Sequence, residues 1–406
     1  MTHFLKSGAA AGLFLLLVTG AEAEGPARSG NAVFDKAVEL VNQHFHDPAA
    51  LPKFNAAVAA EVQKGVADPH QAILDVLPAL GASHMGHFTQ AELAYYELAD
   101  IFRFNFRNEL PRLFPPPGRI SYPGIGLASE VMDGKRFVTD VYDGAPAALA
   151  GIEKGDEILS LDDKLFTEVE GFRGKAGQTV TLMIRRTADA EPKAYSVQVQ
   201  DLGPSDTFVD AIGKSARVVE KDGRKIGCLH VWFYGRGDVT DAIGAALASE
   251  PLASADALVL DLRGRWGGAP PDAAETFLGG TPAFTFIDRD GKRELSNERW
   301  HKPVVALIDE GTRSGLEVYA YALQQKGIPL VGTRTAGALL GARGYLLPDD
   351  SLLEIAVAGV ELDGKVLEGK GVEPDIAGPF GLRYAAGHDP QLDAALARAA
   401  AVAGDG

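Results

Sequence analysis

Two glycine-rich turns carry residue types at a spacing that chemistry could use. The apolar run Ala257-Leu258-Val259-Leu260 leads into Asp261-Leu262-Arg263-Gly264-Arg265-Trp266-Gly267-Gly268, and Val304 to Ile308 leads into Glu310-Gly311-Thr312-Arg313-Ser314-Gly315-Leu316-Glu317. Both runs read as buried strands, and glycines at a strand's C-terminal end let backbone approach a ligand closely. Ser314 falls where the second strand turns into a helix. A hydroxyl there is exposed, while the N–H groups that follow, unpaired at the helix N-terminus, face any oxyanion that develops. Gly315 supplies one such donor and Gly267, in the first turn, the other. Serine at such a position is more often a helix N-cap than a nucleophile, and Glu317, one turn on, fits a capping-box partner better than a catalytic group.

An unassisted serine hydroxyl is a poor nucleophile at neutral pH, so Ser314 requires a base. Histidine is the first candidate. Of the nine histidines, His84 has the most suggestive setting, in Leu80-Gly81-Ala82-Ser83-His84-Met85-Gly86-His87-Phe88, at the end of a helix before a turn. That place also suits an ordinary histidine interacting with a helix dipole. His84 and His87 stand at i, i+3, but no third ligand of matching type lies near in sequence, so no metal is expected. His44 and His46 point apart on a helix or a strand and read as surface residues.

The elements that must position these groups fall into three regions. From Asn31 to Phe114 the apolar residues Phe34, Val38, Val41 and Phe45, then Ile73, Val76, Leu77 and Leu80, recur at helical spacing. Pro115-Pro116-Pro117-Gly118 ends that region, since no helix or central strand traverses such a run. Residues 119 to 201 change to short β-rich runs, Phe137 to Val141 and Val180 to Ile184, separated by glycine turns. Thereafter strand and helix alternate: strand 226–233, helix 238–248, strand 257–262, helix 271–278, strand 304–308, helix 314–325, strand 330–331. Such alternation predicts an α/β layer with parallel strands.

Within the middle region, Tyr122-Pro123-Gly124-Ile125-Gly126-Leu127, followed by Gly144-Ala145-Pro146 through Gly155-Asp156-Glu157-Ile158-Leu159, resembles a PDZ domain. The resemblance implies that a peptide adds as a strand to a sheet edge, with Gly124, Ile125, Gly126 and Leu127 forming the loop that receives its terminal carboxylate. These glycines also suit plain tight turns.

Four ordered segments, Asp261-Leu262-Arg263-Gly264-x-x-Gly267-Gly268, Thr312-x-Ser314-x-x-Glu317, Val331-Gly332-x-x-Thr335-x-Gly337 and Gly371-Val372-x-Pro374-Asp375, together resemble the tail-specific, C-terminal processing peptidase family. The resemblance implies that Ser314 is the nucleophile. It also implies a departure, because the bacterial processing branch takes a lysine as base just after the glycine matching Gly337, and Ala338 stands there. A methyl group accepts no proton. The tricorn-type branch of the same superfamily instead carries a serine-histidine pair ahead of its PDZ module, matched by Ser83-His84, and a glutamate just before the Gly-Val-x-Pro-Asp segment, matched by Glu368. The implied relay runs from Ser314 to His84, His84 to Ser83 and Ser83 to Glu368, the last two fixing the imidazole tautomer. A base drawn from the helical region implies that activity depends on how the domains close.

The whole reads as a multidomain α+β chain. A signal peptide at 1–23 precedes an N-terminal helical domain at 24–114, a β-rich PDZ domain at 119–203 and an α/β layered core of ββα type at 215–400. With 406 residues, 46% hydrophobic and 23% charged, the chain can bury several cores. Its net charge of −16, with the acidic residues dispersed, argues against a nucleic-acid or anionic-membrane partner. Lys6, the apolar run Ala9 to Val18 and Ala21-Glu22-Ala23 fit an export signal cleaved after Ala23, and the run falls short of the roughly 20 apolar residues a spanning helix needs. A periplasmic or secreted protein is expected. The one cysteine, Cys228, permits no internal disulfide and reads as a small core residue. No cofactor is implied. The expected activity is a serine endopeptidase acting on polypeptides or their C-terminal tails. The alternatives are a non-catalytic peptide- or ligand-binding member of the same superfamily, which Ala338 and Met85 favour, and a hydrolase of esters.

Overall fold

A computed structural model describes residues 26–404 apart from 116–117, 271, 279–283 and 297–299. The expected signal peptide and part of the proline run lie outside the described residues. The central element is a six-stranded sheet with the order Ile376–Ala377, Leu330–Gly332, Val304–Ile308, Ala257–Asp261, Arg224–His230, Arg217–Lys221. All neighbours are parallel except the hairpin formed by the last two. Parallel sheets are covered on both faces, and successive side chains on a strand point to opposite ones. Ala257 and Val259, with Val305, Leu307 and Val331, accordingly pack under Ala395, Leu396 and Ala399 of helix Pro390–Gly404. Leu258, Leu260, Ala306 and Ile308 face the larger core, with Ile243 of helix Gly237–Ala248 and Leu316 and Ala320 of helix Gly315–Gln325. Cys228 lies in the first of these cores, and burial pushes its thiol up to about 11, so it is inert packing.

The parallel arrangement sends the chain out of three strands at the same edge, into residues 262–268, 309–314 and 333–338. These are the loops in which an open α/β sheet places its ligands. The expected strand 226–233 ends at His230; Val231 still donates to the Asp261 carbonyl, and the chain then crosses the sheet end, with the Tyr234 N–H on the Gly267 carbonyl at 3.3 Å. The expected helix 271–278 is confined to Glu275–Leu278, after two prolines that supply no N–H.

A five-stranded antiparallel sheet takes Leu127–Met132, Lys135–Val141, Glu157–Leu161, Thr179–Arg185 and Lys193–Gln198 in chain order, which leaves Leu127–Met132 as an edge. A third, three-stranded sheet joins distant parts of the chain: Gly86–Phe88 pairs with Leu352–Ala358, which pairs with Gly341–Leu346. Helices Ala32–His44, Leu51–Lys64 and Pro69–Val76 pack on it, burying Phe34, Val41, Phe54 and Ile73 against Leu340, Leu353 and Ile355. The N-terminal helices therefore share a core with residues near position 350. The architecture is multidomain α+β, and no helix among the described residues is long and apolar enough to cross a membrane.

Leu260, fully buried in the central strand, tests the sheet as the common support. Leu260→Ala should cost about 2–5 kcal/mol, read as a lowered urea midpoint at unchanged slope.

Candidate active site

Ser314 sits directly before helix Gly315–Gln325 with φ 56° and ψ −128°, a left-handed backbone setting that few non-glycine residues occupy. Its surroundings hold it there. Its N–H donates to the Ala338 carbonyl at 2.9 Å and to Glu317 Oε2 at 3.1 Å. Thr312, two residues earlier and fully buried, donates its hydroxyl to the Leu262 carbonyl at 2.8 Å, which locks the serine turn to the neighbouring strand end.

The two glycine turns touch through their backbones. A Cβ on Gly267 would stand 2.3 Å from Ser314 Cβ and 2.7 Å from the Gly315 nitrogen, and one on Gly315 would stand 2.5 Å from the Ala269 nitrogen. No larger residue fits at either place. Among the described residues neither the Gly267 nor the Gly315 N–H donates a hydrogen bond, so both donors beside Ser314 remain available to an oxyanion.

The first turn is also held from the N-terminal region. Glu97, on helix Leu93–Ile101 and 2% exposed, accepts from Arg265 Nε at 2.9 Å and from Trp266 Nε1 at 2.6 Å. Burial raises the Glu97 carboxyl, while the Arg265 charge and the indole bond pull it back.

His84, Ser83 and Glu368 form a hydrogen-bonded chain. Ser83 Oγ lies 2.8 Å from His84 Nδ1 and 3.0 Å from Glu368 Oε2, and the Ser83 N–H donates to Glu368 Oε1 at 2.9 Å, across 285 positions of sequence. A carboxylate only accepts, so the one Ser83 hydroxyl proton goes to Glu368, and Ser83 Oγ must accept from His84 Nδ1–H. The Nε2 lone pair is then free. Burial, and then the Arg313 charge, lower the His84 imidazole to about 4, against an opposing pull from Glu368, so the ring is neutral at pH 7.

His84 and Ser314, far apart in sequence, line one cavity of about 210 Å³, with Gly267, Gly268, Arg313 and Glu354 also in its wall. Its remaining surface is largely apolar, from Leu98, Ile101, Phe102, Phe233 and Leu340. His87 is elsewhere: its Nδ1 faces His70 Nδ1 at 2.9 Å and its Nε2 meets Ser351 Oγ at 2.7 Å. Among the described residues no cluster of three or more His, Cys, Asp or Glu is placed to hold a metal ion. Gly124, Ile125, Gly126 and Leu127 are not in the wall of this cavity; Gly124 ends the strand Tyr122–Gly124, which pairs with Gln200–Leu202, and Leu127 begins the edge strand of the five-stranded sheet. There Gly126 takes φ 76°, and a Cβ on it would strike Ala145 Cβ at 2.2 Å.

With this geometry in view, the likenesses to known proteins become specific. Residues 225–377 match Peptidase family S41. Residues 123–200 match the PDZ domain. The chain is 27% identical over 308 residues to the carboxy-terminal processing protease CtpA of Bacillus subtilis, a match covering 69% of this chain and 61% of that protein. It is 30% identical over 274 residues to tricorn protease homolog 1 of Streptomyces coelicolor, covering 63% of this chain and 25% of that one. The chain thus spans less than two thirds of either relative. The crystal structure of the tricorn protease superposes with a TM-score of 0.52 at 17% identity, over 92% of this chain and 36% of that one, which is a likeness of fold. These matches support a peptidase.

Sequence reasoning missed Glu97, Glu354 and the full part played by Glu317. Glu354 was visible in principle, as the lone acid in the apolar strand Leu352–Ala358. Glu317 is fully buried and accepts from the Thr335 hydroxyl at 2.6 Å and from the N–H groups of Gly337 and Ala338 at 2.8 Å each, besides Ser314. Glu317→Ala strips the Gly337 and Ala338 N–H groups of their acceptor. At about 1–3 kcal/mol for each such group, urea unfolding should show a loss of about 2–6 kcal/mol.

Proposed function

We propose that the chain is an exported serine endopeptidase with Ser314 as nucleophile, His84 as general base and then acid, and Ser83 and Glu368 orienting the imidazole. The observation that carries this reading is the Glu368–Ser83–His84 chain, which leaves Nε2 as the free base on the wall of the cavity that Ser314 also lines. In the forward step Ser314 Oγ bonds to the scissile carbonyl carbon as its proton passes to His84 Nε2. The oxyanion receives the Gly315 and Gly267 N–H groups. Collapse breaks the C–N bond, and the amine leaves with the His84 proton. Water, deprotonated in turn by His84, then releases the acid and restores the serine.

In this reading Gly124, Ile125, Gly126 and Leu127 receive a C-terminal carboxylate, and the peptide adds as a strand along Leu127–Met132, one of the two edge strands of its sheet. Substrates are polypeptides recruited by their tails. The relay without a lysine resembles the tricorn-type branch more than the Ser-Lys branch.

A serine-reactive fluorophosphonate probe and an unfolded-protein cleavage assay test the reading together. Wild-type chain should label and cleave, and Ser314→Ala and His84→Ala should each abolish both; activity that survives either change overturns the assignment. Gly267→Ala keeps the N–H but drives a methyl against Ser314 Cβ, so the turn must shift, and kcat should fall by at least roughly 10²–10³-fold, the scale of one misplaced oxyanion donor.

The pH profile follows from His84. Its imidazole accepts a proton less readily in the folded chain than in the unfolded one, so the base is neutral and competent above about 4. The acidic limb of kcat/KM in the free enzyme should have its midpoint nearer 4 than 6.5. By the same sign, the folding contribution of His84 is fully present above about 6.5 and is lost as pH falls from there toward 4.

A further inference from the structure

We infer that the cavity beside Ser314 selects a lysine or arginine side chain on the acyl side of the cleaved bond, with the Glu354 carboxylate as its counter-charge. This rests on the peptidase reading and names the substrate class that its site prefers.

Glu354 is 5% exposed and lines the cavity, yet among the described residues it has no hydrogen-bond donor and no ion-pair partner. A buried acid left unpaired is costly, and native structures retain one where something else completes it. Its cross-strand partners on both sides are glycines, Gly86 and Gly344, and the Phe88 and Phe102 rings lie over them, so the strands beside Glu354 bring it aromatic faces and no polar partner. Gly344 is required, since a Cβ there would press on the Phe102 ring at 2.9 Å.

The remainder of the cavity is an apolar sleeve made by Leu98, Ile101, Phe102, Phe233 and Leu340. Lysine and arginine have the matching anatomy, with an apolar stem and a cation at the tip. A purely apolar side chain would fill the sleeve and seal Glu354 away from water without a partner. An acidic one would add a like charge. Arg313 also lines the cavity, but its guanidinium lies over the Trp266 ring, 5.7 Å from the centroid, and forms no ion pair with Glu354. Burial pushes the Glu354 carboxyl up to about 7 despite Arg313, so an incoming cation is what favours its charged form.

The test uses the full chain and two peptides that differ only in lysine or norleucine at the residue before the cleaved bond. Norleucine keeps the stem and lacks the ammonium. Wild-type kcat/KM should favour lysine by roughly tenfold or more, the scale of one charge-assisted hydrogen bond. Glu354→Gln should bring the ratio near one, and Glu354→Asp, which keeps the charge, should retain a lysine preference. A wild-type ratio near one overturns the inference, as does a lysine preference unchanged in Glu354→Gln or the same ratio in the Gln and Asp variants. Cleavage of neither peptide, or cleavage that survives Ser314→Ala, is the separate failure of the peptidase reading, and the inference falls with it.

Discussion

With both oxygens buried, the Glu317 carboxylate accepts from the Ser314 N–H, the Thr335 hydroxyl and the N–H groups of Gly337 and Ala338, and so clamps the serine turn to residues 335–338. The clamp continues outward. The Ala338 carbonyl accepts from the Ser314 N–H, and the next N–H, that of Leu339, donates to Glu368 Oε2 at 2.7 Å. Glu368 in turn holds Ser83, which holds His84. One loop backbone thus fixes both the strained serine and the carboxylate at the far end of the histidine chain. Ala338, the position that lacks a lysine, contributes through its main chain, and its buried methyl leaves room for the close packing this needs.

The two strand-end turns were legible because they are local: an apolar run, a glycine cluster and a helix start follow one another within some dozen residues. Ser83, His84 and Glu368 could be named by likeness to a known pattern, but their meeting depends on a sheet that pairs Gly86 with Glu354, which no local periodicity encodes. For the same reason the N-terminal helices read as a separate unit, although their apolar faces are completed by Leu353 and Ile355. Glu97 gave no signal at all. On a helix an acid is ordinarily solvated, and only the approach of Arg265 and Trp266 makes it a buried anchor.

Buried charge is concentrated on the turn that carries Gly267. Arg263 pairs with Asp261 at 2.6 Å and Asp389 at 2.8 Å, and Arg265 pairs with Glu97 at 2.9 Å. Removing one member of such a pair strands the other, so these residues act as fixings that break sharply rather than yield. That suits a turn whose backbone lies against Ser314 with no room for a methyl group.

These fixings also decide how the PDZ region can bear on the chemistry. Gly86–Phe88, which begins two residues after His84, is stitched to Leu352–Ala358, so strand pairing ties the His84 segment to that part of the chain and not to the PDZ region. The Gly267 turn is less insulated. Glu97, which anchors it, also receives the Tyr142 hydroxyl at 3.4 Å, and Tyr142 directly follows the PDZ strand Lys135–Val141. On the opposite side Tyr384 packs edge-on against Phe137 and donates to Glu157 at 2.8 Å, so the same region is gripped by the C-terminal segment. The PDZ region and the Gly267 turn are thus joined through Glu97, which holds Tyr142 on one side and Arg265 and Trp266 on the other, whereas the His84 segment is tied by strand pairing to Leu352–Ala358.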